Sequence, residues 1–373
     1  MNFEIDFAVF QKTLKDFTAV VAKSPLASAA DAKDLGGLIT ANPSEGSLKI
    51  EVGIKGFYMS ATIPCEVAEA GSVVIRVDSV ISLKSSIGIA TLTCSDTDKV
   101  MHLKSGRFKA DIPIHHDIAD VTASRADLLP TTHSIHTTKL KTAIDCVDLG
   151  SASKDEPLFA KFVFNPSGFT VWANSPSTAA LYRNVKSAFD EVLEITLPVE
   201  FLVAYLSKVT GKVQLAVSDS LFQLISDEIE VSHPLRELDV FDTKTAIEEI
   251  VADKEYITKF SCAIAESIDS FTSVSCFAPE DHRMLAIIDP KKNSFTCKTS
   301  SESGEGENSF SISDPEGKAV KPVECPLNCK VVIKLLESIK SLGSDEVTWF
   351  ILRDRILLQS KDSMSSYICA HME

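Results

Sequence analysis

From Phe7 onward, apolar side chains fall at Phe7, Phe10, Leu14, Phe17 and Val21, in steps of three and four, with Lys12 and Lys15 on the other side. That spacing draws one apolar stripe and predicts an amphipathic helix. Leu140, Ile144 and Val147, with Lys139 and Lys141 between them, predict a second such helix. Ile257, Phe260, Ile264 and Ile268, with Lys254 and Lys259, predict a third. Each is followed by an alternating hairpin: Gly37–Thr40 with Ser47–Val52, Phe159–Asn165 with Gly168–Ala173, and Met284–Asp289 with Ser294–Thr299.

Downstream the pattern returns. Alternating strands over Ser72–Val77, Glu191–Leu197 and Ala319–Glu324 lead into helices ending at Gly88, Gly211 and Gly343. The helical stretches are Val77–Gly88, Pro198–Gly211 and Pro326–Gly343. A second hairpin follows each, turning at Ser95-Asp96, Ser218-Asp219 and Arg353-Asp354, where Asp bonds readily to its own backbone. The order helix, strands, helix, strands therefore occurs three times, at about 120–130 residues per unit. The mixed polar stretches Thr122–Thr132 and Val231–Lys244, each with a proline, read as linkers. This sets an α+β chain of three domains, 1–124, 125–242 and 243–373. The Ser-, Gly- and Glu-rich stretch Thr299–Gly317 falls in register as a long polar hairpin of the third unit.

Charge narrows the function. The 373 residues carry 37 basic and 52 acidic side chains, a net −15, which argues against tight charge-driven nucleic-acid binding. No run approaches the ~20 apolar residues of a membrane span, and the N-terminus lacks a basic segment followed by an apolar core. Nine cysteines are scattered singly without a CxxC, and the closest pair, Cys325 and Cys329, lacks a second ligand pair. They read as reduced, mostly buried thiols of a cytoplasmic protein, with no metal site and no cofactor. His115-His116 beside Asp117 reads as a loop pair, and His133 and His136 have no matched acid–base spacing. Trp172 and Trp349 read as strand aromatics of a core or pocket. No GxSxG, HExxH, P-loop or GxGxxG occurs, so no enzymatic activity is expected.

Three α+β repeats on an acidic chain of this length resemble the DNA polymerase sliding clamp of the bacterial polymerase III beta-subunit type, including divergent or phage-encoded members. Two stretches add to the resemblance. Ser105-Gly106-Arg107-Phe108 leads into a strand and Pro113, and the C-terminus runs Tyr367-Ile368-Cys369-Ala370-His371-Met372. The resemblance implies a ring of three repeated DNA-clamp domains per subunit, closed as a homodimer, that encircles duplex DNA without reading sequence. Its partners would be a DNA polymerase and a clamp loader. Lysines on inward helix faces would touch phosphates loosely: Lys12, Lys15, Lys84, Lys139, Lys141, Lys208, Lys212, Lys259, Lys330, Lys334 and Lys340. The family's partner-peptide pocket, carried over by position, falls on Phe159, Trp172, Ser177, Thr178, Ala179, Pro234, Ala370, His371 and Met372. Here Pro176-Ser177-Thr178-Ala179 stands where the family often has Gly-His-Arg-Leu, and Ala370-His371-Met372-Glu373 where it has Met-Pro-Met-Arg. Those departures predict a reshaped pocket. The alternative is a clamp-fold scaffold that does not encircle DNA and tethers transcription or repair proteins.

Overall fold

The computed structural model describes residues 1–84, 87–95, 99–115, 121–149, 157–186, 189–235, 238, 240–254, 256–319 and 321–372. Asp96, His116 and Asp117 lie outside them. The chain divides into two compact units, Met1–Lys141 with Glu200–Glu237, and Thr142–Val199 with Leu238–Glu373.

In the first unit, thirteen described strands form one hydrogen-bonded order. It starts at Thr131–His136 and passes through Lys212–Val217, Leu221–Ile225 and Glu230–Pro234 to Phe57–Pro64. The joining register sets Glu230 opposite Ser60 and Ser232 opposite Tyr58. The order continues through Ser47–Ile54, Gly36–Asn42, Gly71–Arg76, Phe108–His115, Val100–Ser105, Ile89–Thr93 and Asn2–Asp6 to Glu66–Glu69. The helix α1, Phe7–Val21, opens on Asp6, whose carboxylate accepts from the N–H groups of Ala8 and Val9. Its stripe, Phe7, Phe10, Leu14, Phe17 and Val21, is fully buried as expected. After the short helix α2, Ala29–Lys33, the next helix, α3, spans only Val77–Ile81 and stops well before Gly88. Buried Gln11 explains the early stop, because its Nε2 reaches the carbonyls of Val80, Ile81 and Leu83 at 3.1, 3.2 and 2.8 Å.

The second unit holds a nine-strand sheet and a four-strand sheet among the described residues. The first runs Leu193–Pro198, Phe159–Asn165, Gly168–Asn174, Thr178–Asn184, Ser365–Ala370, Arg355–Ser360, Glu346–Ile351, Thr258–Ala263 and Ser313–Gly317. The second runs Gly304–Ser311, Ser294–Ser301, Arg283–Asp289 and Val323–Asn328. The polar stretch after Thr299 is thus the expected hairpin. Gly306 is required there, since a Cβ would lie 2.7 Å from the Phe277 ring.

The helices α4 (Thr137–Val147) and α5 (Val199–Leu206) stand where the pattern predicts them. The helix α6, Thr243–Asp253, occupies the end of the supposed second linker, with Asp242 capping through Thr245. That linker also begins inside the strand Glu230–Pro234. Thr258–Ala263 is a strand, so the helical reading of Ile257 to Ile268 is corrected: α7 starts at Ile264 and ends at Ser275. Burial alternates through Thr258, Phe260 and Cys262, a period of two that the Ile-Phe-Ile spacing concealed. Pro326 likewise sits in a strand, not a helix, and α8 covers Cys329–Ser341 behind an Asn328 cap.

The threefold repeat is visible in backbone hydrogen bonds. The first residues of α1, α4 and α7 donate to equivalent carbonyls ahead of the second hairpins. These are Phe7 to Gly88 at 3.2 Å, Thr137 to Gly211 at 2.9 Å and Ile264 to Asp345 at 2.9 Å. The first residues of α3, α5 and α8 do the same ahead of the first hairpins: Val77 to Leu35 at 3.0 Å, Val199 to Leu158 at 2.9 Å and Cys329 to His282 at 2.9 Å. Each docks a helix N-terminus onto the same point of its repeat.

The cysteines are free thiols. Cys146, Cys262, Cys297, Cys325, Cys329 and Cys369 are buried, Cys65 and Cys94 half-buried, and Cys276 exposed. Burial pushes the thiols of Cys146 and Cys325 up to about 12 and those of Cys262 and Cys369 up to about 11. No helix among the described residues is long and apolar enough to cross a membrane.

Candidate functional site

In the second unit a tight turn and the C-terminal strand enclose a groove of about 400 Å³. The turn is closed by Ser175, whose N–H donates to the Thr178 carbonyl at 2.7 Å. Thr178 and Ala179 then pair with Cys369 and Ile368, and the Ala370 N–H donates to the Ser177 carbonyl at 2.9 Å. The opposite rim is the hairpin turn at Asp354, tied to the chain end by the His371 N–H at 2.8 Å. Met372 donates to the Pro326 carbonyl at 2.9 Å. Backbone bonds thus fix both rims, a rigid frame for small movable side chains.

The lining is apolar at Pro176, Ala179, Phe241, Ile368 and Ala370, and polar at Asn174, Ser175, Ser177, Thr178, Asp354 and Arg355. Below, Ala179 and Ile368 join a core with Trp172, Leu181, Ile247, Tyr256 and Phe350. Phe241, 57% exposed, forms an aromatic wall of the groove. At the mouth Arg355 Nε donates to Asp354 at 3.0 Å, which holds the Asp354 carboxyl below its ordinary value. Burial pushes the His371 imidazole below its ordinary 6.5, against the opposing pull of Asp354. A concave site of this size with apolar walls and a few oriented polar groups suits a short apolar segment.

The expected pocket residues divide. Ser177, Thr178, Ala179 and Ala370 line the groove, and His371 and Met372 continue its rim. Trp172 lies beneath it, packed against the residues of the floor. Phe159 is half-buried opposite Pro198 and does not line it. Pro234 belongs to the first unit, opposite Leu221, with its ring near Gly56. Sequence reasoning missed Phe241, Asn174, Asp354, Arg355 and Ile368. Phe241 is an aromatic in an otherwise polar stretch, a signal that could have found it.

The expected DNA-facing lysines divide as well. Lys12 and Lys15 on α1, Lys139 and Lys141 on α4, and Lys330, Lys334 and Lys340 on α8 are exposed helical residues. On α8 they lie opposite the buried Val332, Leu335, Leu336 and Ile339. Lys334 Nζ donates to the Asp148 carbonyl at 2.9 Å. Lys84 follows α3, and Lys208 follows α5, pairing with Asp16 at 2.9 Å. Lys212 and Lys259 are on strands. Lys259 lies 3.9 Å from Glu316 and 5.6 Å from the centre of the Phe350 ring.

No protein-family model and no curated protein matches the sequence. Solved structures do match over the whole chain. The DNA polymerase III subunit beta of Pseudomonas aeruginosa superposes with a TM-score of 0.80 at 14% identity, covering 100% of both chains. The beta subunit of Thermotoga maritima gives 0.79 at 15%, and the beta chain of Streptococcus pneumoniae 0.80 at 13%, each covering 100% of this chain and 99% of the other. Such identities carry architecture alone, and on that ground the chain has the three-domain α+β fold of the DNA polymerase III beta sliding clamps.

Proposed function

We propose that this chain is a processivity factor: a non-catalytic ring that encircles duplex DNA and tethers a replicative polymerase through the groove of the second unit. The observation that carries this reading is the clamp fold over the full chain, with a peptide-sized groove on the C-terminal strand. Domains 1–124, 125–242 and 243–373 each contribute two inward helices. The exposed lysines of α1, α4 and α8 contact phosphates without reading bases. A clamp loader opens the ring, and the protein works in the cytoplasm.

Two strand edges support closure as a homodimer. Phe108–Pro113 lacks a described partner on the side away from Val100–Ser105, and carries Lys109 and the exposed Phe108 beside Arg107. Gly304–Ser311 is the edge of its sheet and carries Glu305 and Glu307. Pairing these edges between copies would satisfy both ladders and join opposite charges. Sedimentation should find a dimer, and the loaded protein should stay on circular DNA and leave once the DNA is linearised. A monomer at micromolar concentration, or equal retention on both DNA forms, refutes the ring. Replacing Arg107 and Lys109 by Glu should shift the dimer toward monomer.

A further inference from the structure

The third repeat departs from the expected lysine pattern in a way that has a consequence for the DNA path. With Lys259 on a strand, Ile264–Ser275 contains no basic residue. Its buried face is Ile264, Ser267, Ser270, Phe271 and Val274. Its exposed face is Ala265, Glu266, Asp269, Thr272 and Ser273, with Cys276 at the cap. The neighbouring α8 packs against α7 and exposes Lys330, Lys334 and Lys340 against one acid, Glu337. Two adjacent helices of one repeat thus carry opposite net charge on their exposed faces.

Resting on the clamp reading above, in which both helices face the hole, we propose that the third domain holds the duplex one-sidedly. The phosphate backbone runs along α8 and is kept off α7 by Glu266 and Asp269. The length scales allow it. Packed helices lie roughly 8–10 Å apart, and the screening length at physiological salt is about 8 Å. A phosphate over α8 therefore feels its lysines fully and the α7 carboxylates only partly, while one over α7 meets the reverse. Counterion release on α8 has no counterpart on α7.

Photo-crosslinking tests this. A photoreactive amino acid replaces Thr272 on α7 or Ser341 on α8, and each protein is given a linear duplex that threads the ring from its ends. At low salt the Ser341 probe should crosslink DNA several-fold more than the Thr272 probe. E266Q with D269N should raise the Thr272 yield, and K330Q with K334Q and K340Q should lower the Ser341 yield. The same duplex with both ends blocked by bound streptavidin should give neither crosslink. If yields persist on the blocked duplex, encirclement fails and this proposal fails with it. If both probes need free ends yet crosslink equally, and neither set of substitutions changes the ratio, the ring stands and the one-sided path is overturned.

Discussion

Two stretches that read alike in sequence, polar and proline-containing without a period, are put to different uses. Residues 121–130 are tied to the first unit's sheet through Val121, Ser124, Arg125, Asp127 and Leu129, while Leu128 between them stays 65% exposed. Val121 packs on Leu38 and Val74, and its carbonyl lies so close to Gly53 that a Cβ there would sit 2.2 Å away. Ser124 accepts from the Gly56 N–H at 3.1 Å, and Arg125 donates to Glu51. Glu51 is only 1% exposed and also accepts from Tyr58 at 2.5 Å and lies 3.2 Å from Lys49. Gln223, fully buried, closes the segment through the Asp127 carbonyl and the Leu129 N–H, both at 2.8 Å. The stretch before α6 also leaves apolar side chains outside, Leu238 at 41% and Phe241 at 57%, but there Phe241 lines the groove. A connecting segment can thus use its side chains to hold the fold or present them to a ligand.

Breaking that contrast should have graded effects. Glu51→Ala, which removes the buried acceptor shared by Tyr58, Arg125 and Lys49, should cost about 3 kcal/mol in urea unfolding. Gly53→Ala should cost about 2 kcal/mol by forcing Val121 off the sheet, seen also as faster amide exchange across residues 121–130. Acid should act through Glu51 next. Burial alone would raise its carboxyl, but Tyr58, Lys49 and Arg125 together hold it below the ordinary 4.5. Its stabilising contribution is therefore full above pH 4.5 and drains as pH falls through the lowered folded value; Glu51→Gln should flatten that part of the stability profile. Phe241→Ala should change stability least, by under about 0.5 kcal/mol, yet weaken binding of a labelled leucine- and phenylalanine-containing peptide about tenfold. Large unfolding effects at Phe241, or unchanged peptide affinity, would erase the contrast.

The repeat was legible because its helices bury one side only: Phe7 to Val21 and Val332 to Ile339 announce their period directly. The strand Thr258–Ala263 was not, because Thr258 and Cys262 are inward residues that do not look like core, while Ile257 and Ile264 flank them at helical spacing. The helix α6 fully buries Ile247 and only partly Ala246 and Ile250, too thin a stripe to stand out. At the groove, Ser177 to Ala179 and Ala370 came from the family resemblance, carried over by position. Phe241 and Arg355 did not, since their meeting depends on where two loops end in space.

The burial of the thiols has a practical consequence. With six of nine sulfurs inside the fold and the named ones raised to about 11 or 12, alkylating reagents at neutral pH will find little thiolate there. Cys276 is the exposed one, at the C-cap of α7. On the native sequence a thiol-reactive fluorophore is therefore directed first to Cys276, at the C-terminal end of the helix that carries Glu266 and Asp269, ahead of the half-buried Cys65 and Cys94.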